Sequence, residues 1–339
     1  DVVQYFSVGE IVWAGLFAQA EYNTDKWSSF VSASITNESY RYHDKGGNVD
    51  GKKISDFYHF QPWSVKAGYN YKFTQNHNVF VNGGYFTRAP FFNSVFPNNN
   101  VTANADAPYE KIMTFELGYG FNNEYFNVAL NGYYTKWMDK STRRRVGQDY
   151  ANITGLDAVH MGVELEATYK PVNTFELKGM FSLGDWKWAD DVHFTLYDES
   201  DKPLGTYDAY VKDVHVGNSA QLTAALSASW EMFKGLKLNA DYNFAGKNYA
   251  DFDPSNRTNK SDAGVDAWKM PNFYTIDLGL SYRFDLGKGL KAVIYSNVYN
   301  LTNTCYIADA RDGSSHDWDT ALVYYGFGRT WSTGFKVMF

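Results

Sequence analysis

The stretch "VHMGVELEATY" at 159–169 divides cleanly by parity. Val159, Met161, Val163, Leu165, Ala167 and Tyr169 form one row, while His160, Gly162, Glu164, Glu166 and Thr168 form the other. An extended chain sends successive side chains to opposite faces, so this is a strand with one greasy face and one polar face. "FYTIDLGLSYRF" at 273–284 repeats the design: Tyr274, Ile276, Leu278, Leu280, Tyr282 and Phe284 stand against Thr275, Asp277, Gly279, Ser281 and Arg283. The chain closes at 328–339 on "GRTWSTGFKVMF", where Trp331, Thr333, Phe335, Val337 and Phe339 alternate with Ser332, Gly334, Lys336 and Met338. What the apolar rows touch, protein or lipid, is decided by the rest of the chain.

Thirteen such segments occur, near 10–22, 27–42, 63–73, 78–88, 111–121, 125–136, 159–169, 174–187, 216–230, 236–247, 272–284, 289–299 and 330–339. Alternation is less clean in the first, in 78–88 and in 289–299. Most run ten to sixteen residues, longer than the five or six usual in globular sheets and enough to cross a bilayer when tilted. Their connections alternate in length. Short ones are "NTDK" (23–26), "TQNH" (74–77), "NNE" (122–124), "KPVN" (170–173), "EMFKG" (231–235) and "DLGKG" (285–289). Long ones fall near 43–62, 89–110, 137–158, 188–215, 248–271 and 300–329. Tight turns at one end and long loops at the other are the habit of outer-membrane barrels.

Aromatic residues collect beside the short turns: Tyr22, Trp27, Tyr71, Phe73, Phe121, Tyr125, Phe126, Tyr169, Phe175, Trp230, Phe233, Tyr282 and Phe284, with Phe339 at the same level. Such rings favour the boundary between hydrocarbon and headgroups. The apolar rows are therefore expected to face lipid. An all-β, antiparallel up-and-down transmembrane barrel follows.

Bulk composition agrees. The 339 residues carry net charge −7 with only 8 Pro, and no run of 18 apolar residues makes a spanning helix. Mean hydropathy of −0.45 is no obstacle, since barrel strands alternate. The acidic balance argues against a nucleic-acid surface, which needs a basic stripe. One cysteine, Cys305, excludes an internal disulfide. The chain begins "DVVQYFSVGE" without a leader-like segment. If the C-terminus is periplasmic, thirteen alternations put the first residue outside, whereas a single-chain bacterial barrel has an even strand number. The chain is thus expected to be the later portion of a larger barrel.

Several stretches carry a resemblance. "VFVNGGYFTRAPFFNSVFP" (79–97), "ADAPYEKIMTFELGYGF" (105–121), "SNVYNLTNTCYI" (296–307) and the terminal "GRTWSTGFKVMF" resemble, in order, the strand and loop signatures of TonB-dependent outer-membrane receptors. Glu110, Glu116, Leu117 and Gly118 match the second of these in register. The resemblance implies a barrel of about 22 strands filled by a plug, of which residues 1–339 would be one incomplete domain, the C-terminal portion of the wall. It also implies a Gram-negative outer membrane, contact with lipid and lipopolysaccharide, energy from TonB acting through an N-terminal region, and nutrient import with no chemistry in this chain. The "G-N-Q" strand of SusC-like glycan importers, which work with a surface lipoprotein, is not found. A passive channel, an adhesin, or a glycan or peptide importer with such a lipoprotein remain alternatives; an outer-membrane enzyme is a third class.

Candidate ligand contacts lie in the long loops. Arg88, with Ala89 and Pro90, matches the family motif at a strand top, where a structural role competes with ligand contact. "WKWADDVHFTLYDESDKPLGTYDAYVKDVH" (186–215) is acidic and aromatic: Trp186, Trp188, Tyr197, Tyr207 and Tyr210 could stack on a sugar or flat chelate. Its carboxylates, Asp190, Asp191, Asp198, Glu199, Asp201, Asp208 and Asp213, could hold Ca²⁺, although no calcium-loop spacing is present. Asp198, Trp268 and Trp318 complete the expected binding set. "DARDGSSHDWD" (309–319) places His316 beside Asp317 and Asp319, a poor metal signature. "STRRRVG" (141–147) could meet an anionic ligand or lipid phosphate, or be plain surface charge. Lumen-facing charges (Lys66, Lys72, Glu116, Glu164, Glu166, Glu176, Lys178, Lys237, Asp241, Asp277 and Arg283) are expected to hydrate the wall and pair with a plug. His43, His59, His160, His193 and His215 are scattered as well, and no Gly-x-Ser-x-Gly elbow appears. No catalytic residue, metal or cofactor is therefore expected.

Overall fold

A computed structural model describes residues 6–46, 53–96, 101–104, 107–146, 149–198 and 202–339. Strands dominate it. The first half holds β1 (Ser7–Asn23), β2 (Trp27–Asp44), β3 (Tyr58–Phe60), β4 (Trp63–Lys72), β5 (His77–Arg88), β6 (Glu110–Asn122), β7 (Phe126–Val146), β8 (Asp149–Val172) and β9 (Phe175–Trp188). The second half holds β10 (Val192–Tyr197), β11 (Pro203–Ala209), β12 (Leu222–Phe233), β13 (Leu236–Gly246), β14 (Phe273–Gly287), β15 (Leu290–Tyr299), β16 (Ile307–Arg311), β17 (Leu322–Tyr325) and β18 (Thr330–Met338). Thirteen of these form one antiparallel wall in the order β1-β2-β4-β5-β6-β7-β8-β9-β12-β13-β14-β15-β18. Every neighbour in the wall is the preceding or following long strand, the up-and-down plan read from the alternation. Strands β3, β10, β11, β16 and β17 belong to the loops.

Register fixes the faces. Leu117 pairs with Gly132, which pairs with Val163, so these share one face. Glu116, Tyr133 and Gly162 share the other. The apolar face is bare: Phe115, Leu117, Leu226, Leu280 and Phe335 are exposed. No second sheet presses against it among the described residues. A large apolar face left open along a whole wall is stable against lipid, not water. Trp331, the Phe233 ring and the terminal Phe339 are likewise exposed.

Short turns close on local chemistry. Thr24 Oγ1 accepts from Trp27 N at 3.0 Å, and Asn123 Oδ1 accepts from Phe126 N at 2.7 Å. Gly235, at φ 86°, has Arg283 O only 2.1 Å from where a Cβ would stand, so this turn admits no side chain.

The opposite end departs from the sequence reading in three places. The segment 137–158, expected as a long loop, is mostly a continuation of the β7–β8 hairpin, with Thr142 opposite Ile153 and Arg144 opposite Ala151 after bulges near Trp137 and Lys140. Loop 188–215 contains the β10–β11 hairpin, whose Phe194 pairs with Ile153 of β8. The ninth wall segment starts at Leu222, not 216. The reason is common to all three. These residues bury side chains against one another above the wall, and that burial rewards β pairing which alternation alone does not reveal.

The dry cores lie in this loop layer. Ala151, Ile153, Leu156, Trp188, Val192, Phe194, Val211, Val214 and Phe252 form the largest. Tyr40, Tyr42, Phe60, Val95 and Phe96 form a second around a short helix, α1 (Phe92–Val95). Ala250, Met270 and Ala310 form a third. Among the described residues, much of the long connections is packed structure.

Candidate functional site at the loop end of the inner face

Three rows of the polar face converge below the largest loop core. Ile112, Trp137, Ala158 and Trp188 align across β6, β7, β8 and β9. One step further from the loops lie Thr114, Thr135, His160 and Trp186, then Glu116, Tyr133, Gly162 and Gly184. The two glycines decide how the rings lie. A Cβ on Gly162 would meet Tyr133 Oη at 2.6 Å, and one on Gly184 would meet Trp186 Nε1 at 2.6 Å. Tyr133 and Trp186 therefore lie down over bare backbone, flat to the wall. Trp186 Nε1 donates to Tyr133 Oη at 2.9 Å, and the His160 ring sits 5.6 Å from the Trp186 ring.

Cations border this aromatic surface. Lys140 Nζ stands 4.6 Å from the Trp137 ring centre and 5.5 Å from that of Trp188, distances suited to cation–π attraction. No carboxylate forms an ion pair with it among the described residues, and burial pushes its ammonium below the usual lysine range. Arg88 Nη2 donates to Glu110 Oε2 at 2.5 Å, and its guanidinium stacks 4.3 Å from Phe91. Glu110, only 1% exposed, also accepts from Trp137 Nε1 at 3.0 Å. Its carboxylate thus ties Arg88 to Trp137 and holds the rim in place. The arrangement offers flat ring faces beside a lysine ammonium, a surface suited to a planar or anionic solute.

Of the residues singled out from sequence, Trp186 lies within this patch, and Arg88 and Trp188 border it. Trp188 is buried, edge-on to Phe252 at 5.5 Å. The others lie elsewhere. Tyr197 ends β10; Asp198 Oδ1 accepts from Lys202 N at 2.9 Å; Tyr207 is exposed and stacks on Phe194. Tyr210 N donates to Arg257 O at 2.8 Å, Trp268 packs against the Met270 core, and Trp318 is 72% exposed. Glu199 and Asp201, Pro97, the Ala105–Asp106 pair and Gly147 lie outside the described residues, and of Arg145 only the backbone is described.

Sequence reading passed over Tyr133, Trp137, Lys140 and Glu110 as site residues. The available signal was "GYYTKW" at 132–137, where Tyr133 and Trp137 share the parity of the polar face.

The loop carboxylates mostly hold backbone. Asp191 Oδ1 accepts from Val211 N and Lys212 N, both at 2.9 Å. Asp317 Oδ1 accepts from Asp319 N at 3.1 Å. Among the described residues no three acidic, histidine or cysteine side chains gather as a metal site. The basic spot is drawn inward: Arg144 grips Asp251 with both terminal nitrogens, at 2.5 and 3.0 Å. Deeper still, Arg257 Nη2 donates to Asp312 Oδ2 at 2.7 Å, with both side chains fully buried. His316 Nδ1 lies 2.7 Å from the same oxygen. His215 joins the neighbouring loop through Nδ1 to Asp266 Oδ2 at 2.6 Å. Four loops are thereby fastened into one layer over the patch.

Residues 3–301 match a protein family described as TonB dependent receptor-like, beta-barrel. Solved structures share the fold. They include the copper transporter OprC (TM-score 0.65, 16% identity, 97% of this chain and 48% of that one) and the siderophore receptor PiuA from Acinetobacter baumannii (0.67, 16%, 97% and 43%). The FrpB iron transporter from Neisseria meningitidis is similar too (0.66, 14%, 99% and 46%). The chain spans about half the length of these proteins. A search of curated protein sequences found no match.

Proposed function

The chain belongs to the TonB-dependent receptor β-barrel family, and on that premise we propose that residues 1–339 are the C-terminal portion of the wall of an outer-membrane import receptor. On this reading the apolar face meets lipid and lipopolysaccharide, the polar face encloses a plug carried elsewhere in the protein, and TonB supplies the force. A scarce solute is captured at the loop layer and leaves toward the periplasm when the plug rearranges. The chain needs no catalytic group for this task.

The observation that supports it most directly is the Tyr133–Trp137–Trp186 surface with Lys140 at its edge, on the polar face beside the fastened loops. Rigid aromatic rings beside a desolvated cation are the residues that dominate binding energy in other interfaces. Uptake measurements in a deletion strain, across iron chelates, haem, cobalamin, peptides and glycans, identify the solute. Trp186→Ala and Lys140→Met in the intact receptor should then weaken its binding about thirtyfold each, the loss typical of a hot-spot side chain. Wild-type affinity in both variants would remove the patch from the transport route.

A further inference from the structure

We propose that the fifth long loop, residues 248–271, is clamped on both flanks by histidines that grip it when protonated, His215 on one side and His316 on the other. His215 meets Asp266 Oδ2 through Nδ1 at 2.6 Å, and its Nε2 stands 3.3 Å from Asp185 Oδ1 on β9. His316 meets Asp312 Oδ2 through Nδ1 at 2.7 Å, and its Nε2 stands 3.9 Å from Asp262 Oδ1. Each imidazole thus lies between two carboxylates from different segments of chain, one of them on the fifth loop. That loop carries Tyr249 and Phe252 into the largest loop core, so its hold on its neighbours bears on the whole layer.

An ionised carboxylate only accepts hydrogen bonds, so Nδ1 carries the hydrogen in both rings. In the neutral imidazole Nε2 is then a bare lone pair turned toward a second carboxylate, acceptor against acceptor. His316 shows the consequence: its side chain is 5% exposed, and Nε2 is buried without a hydrogen-bond partner. A proton on Nε2 turns each mismatch into a donor aimed at an acceptor, a bond of the stronger, charge-assisted kind. The surroundings suit the added charge. Facing His316 are Asp312 of its own loop, with Asp262 and Arg257 of 248–271. Facing His215 are Asp266, and from β9 Asp185 with its partner Lys187. Each group sets two carboxylates against one cation, so one imidazolium brings it to neutrality. The Tyr249 ring lies parallel to that of His215 at 4.1 Å and offers a face that favours a cation. A metal ion is the other cation that a bare Nε2 takes, but among the described residues no three histidine, cysteine or acidic side chains are placed to hold one. The clamped layer therefore binds the proton more tightly than the opened one. Closure should strengthen as pH falls through the range where imidazoles titrate, and weaken as pH rises through it.

The test is amide exchange by mass spectrometry on the intact receptor at about pH 5.5 and about pH 8, on either side of the imidazole range, with rates corrected for the chemical pH dependence of exchange. Peptides from 209–218, 255–267 and 309–320 should be about tenfold better protected at the lower pH, the ratio for one hydrogen bond to a charged group. Those from β12 and β13 should not change. His316→Asn keeps a donor for Asp312 and suits the backbone, whose φ is 55° at this position. It should remove the pH response of 309–320 and leave that of 209–218; His215→Asn should do the reverse. Wild-type protection independent of pH, or a response that survives in the double variant, would overturn the clamp. Micromolar Zn²⁺ that protects 309–320 at the higher pH in wild type but not in His316→Asn would make Nε2 a metal ligand and overturn the proton assignment. Solute uptake plays no part in these readouts, so they stand or fall separately from the transport reading.

Discussion

Asp312 is the residue whose loss should be felt most widely. Its carboxylate is fully buried and accepts from Arg257 Nη2 at 2.7 Å, from Trp268 N at 3.1 Å, and faces His316 Nδ1 at 2.7 Å. Asp312→Ala leaves the Arg257 guanidinium buried without its counter-charge, with Val265 O still accepting from Nη1 at 2.8 Å. Breaking one side of a buried ion pair costs about 3–5 kcal/mol. At about 1.4 kcal/mol per tenfold, local opening should rise by about 10² to 10³·⁵. The assay is native-state amide exchange by mass spectrometry on the intact protein, following peptides from 248–272 and 300–329. Both loops should lose protection together, since Asp312 joins them, while β12 and β13 keep theirs. Replacing the pair by apolar residues, Arg257→Met with Asp312→Leu, should restore most of the protection, because apolar substitutes for a buried pair are often neutral. Exchange in both loops within about threefold of wild type after Asp312→Ala would show that the pair does not hold the layer shut.

Three further outcomes are expected. The folded state holds the Lys140 ammonium at a lowered pKa, so the unfolded chain binds the proton more tightly. Stability of the outer β7–β8 hairpin should therefore rise with pH between the lowered value and the ordinary lysine range near 10.4, and Lys140→Met, followed by limited proteolysis across that window, should flatten the slope. Gly162→Val places side-chain atoms within contact of Tyr133 Oη and Leu183 O; it should cost about 1–3 kcal/mol by overpacking, displace the Tyr133 ring and reduce solute binding in titration calorimetry, with the barrel still heat-modifiable on gels. Deleting 188–215 removes Trp188, Val192, Phe194, Val211 and Val214 from the largest loop core. It should abolish solute binding and make 247–272 protease-sensitive without unfolding the wall; unchanged affinity would place capture elsewhere.

The wall was legible in the sequence, and the loop layer was not. Parity along 159–169 and 273–284, tight turns at one end and the aromatic border there are local patterns, and each strand answers to a neutral rule about faces and solvent. That is why Val163 and Leu280 fall in apolar rows that the sequence alone shows, and why all thirteen wall strands agree with it within a few residues, the outer extensions of β7 and β8 and the late start of β12 aside. Family membership followed from the ordered motifs for the same reason.

Only the tertiary structure decided where the loops go. Arg144 meets Asp251, Arg257 meets Asp312, and Phe194 adds a strand beside Ile153. These partners are separated by tens of residues, and nothing periodic links them. The inner patch needed the register as well: Trp186 comes to rest on Gly184 and bonds Tyr133 only because β7, β8 and β9 align in that one stagger. The sequence by itself determined which side of each strand is apolar, since a period of two is written residue by residue. The structure alone determined which distant side chains share a dry interior above the wall, since that depends on how far each strand slides past its neighbour.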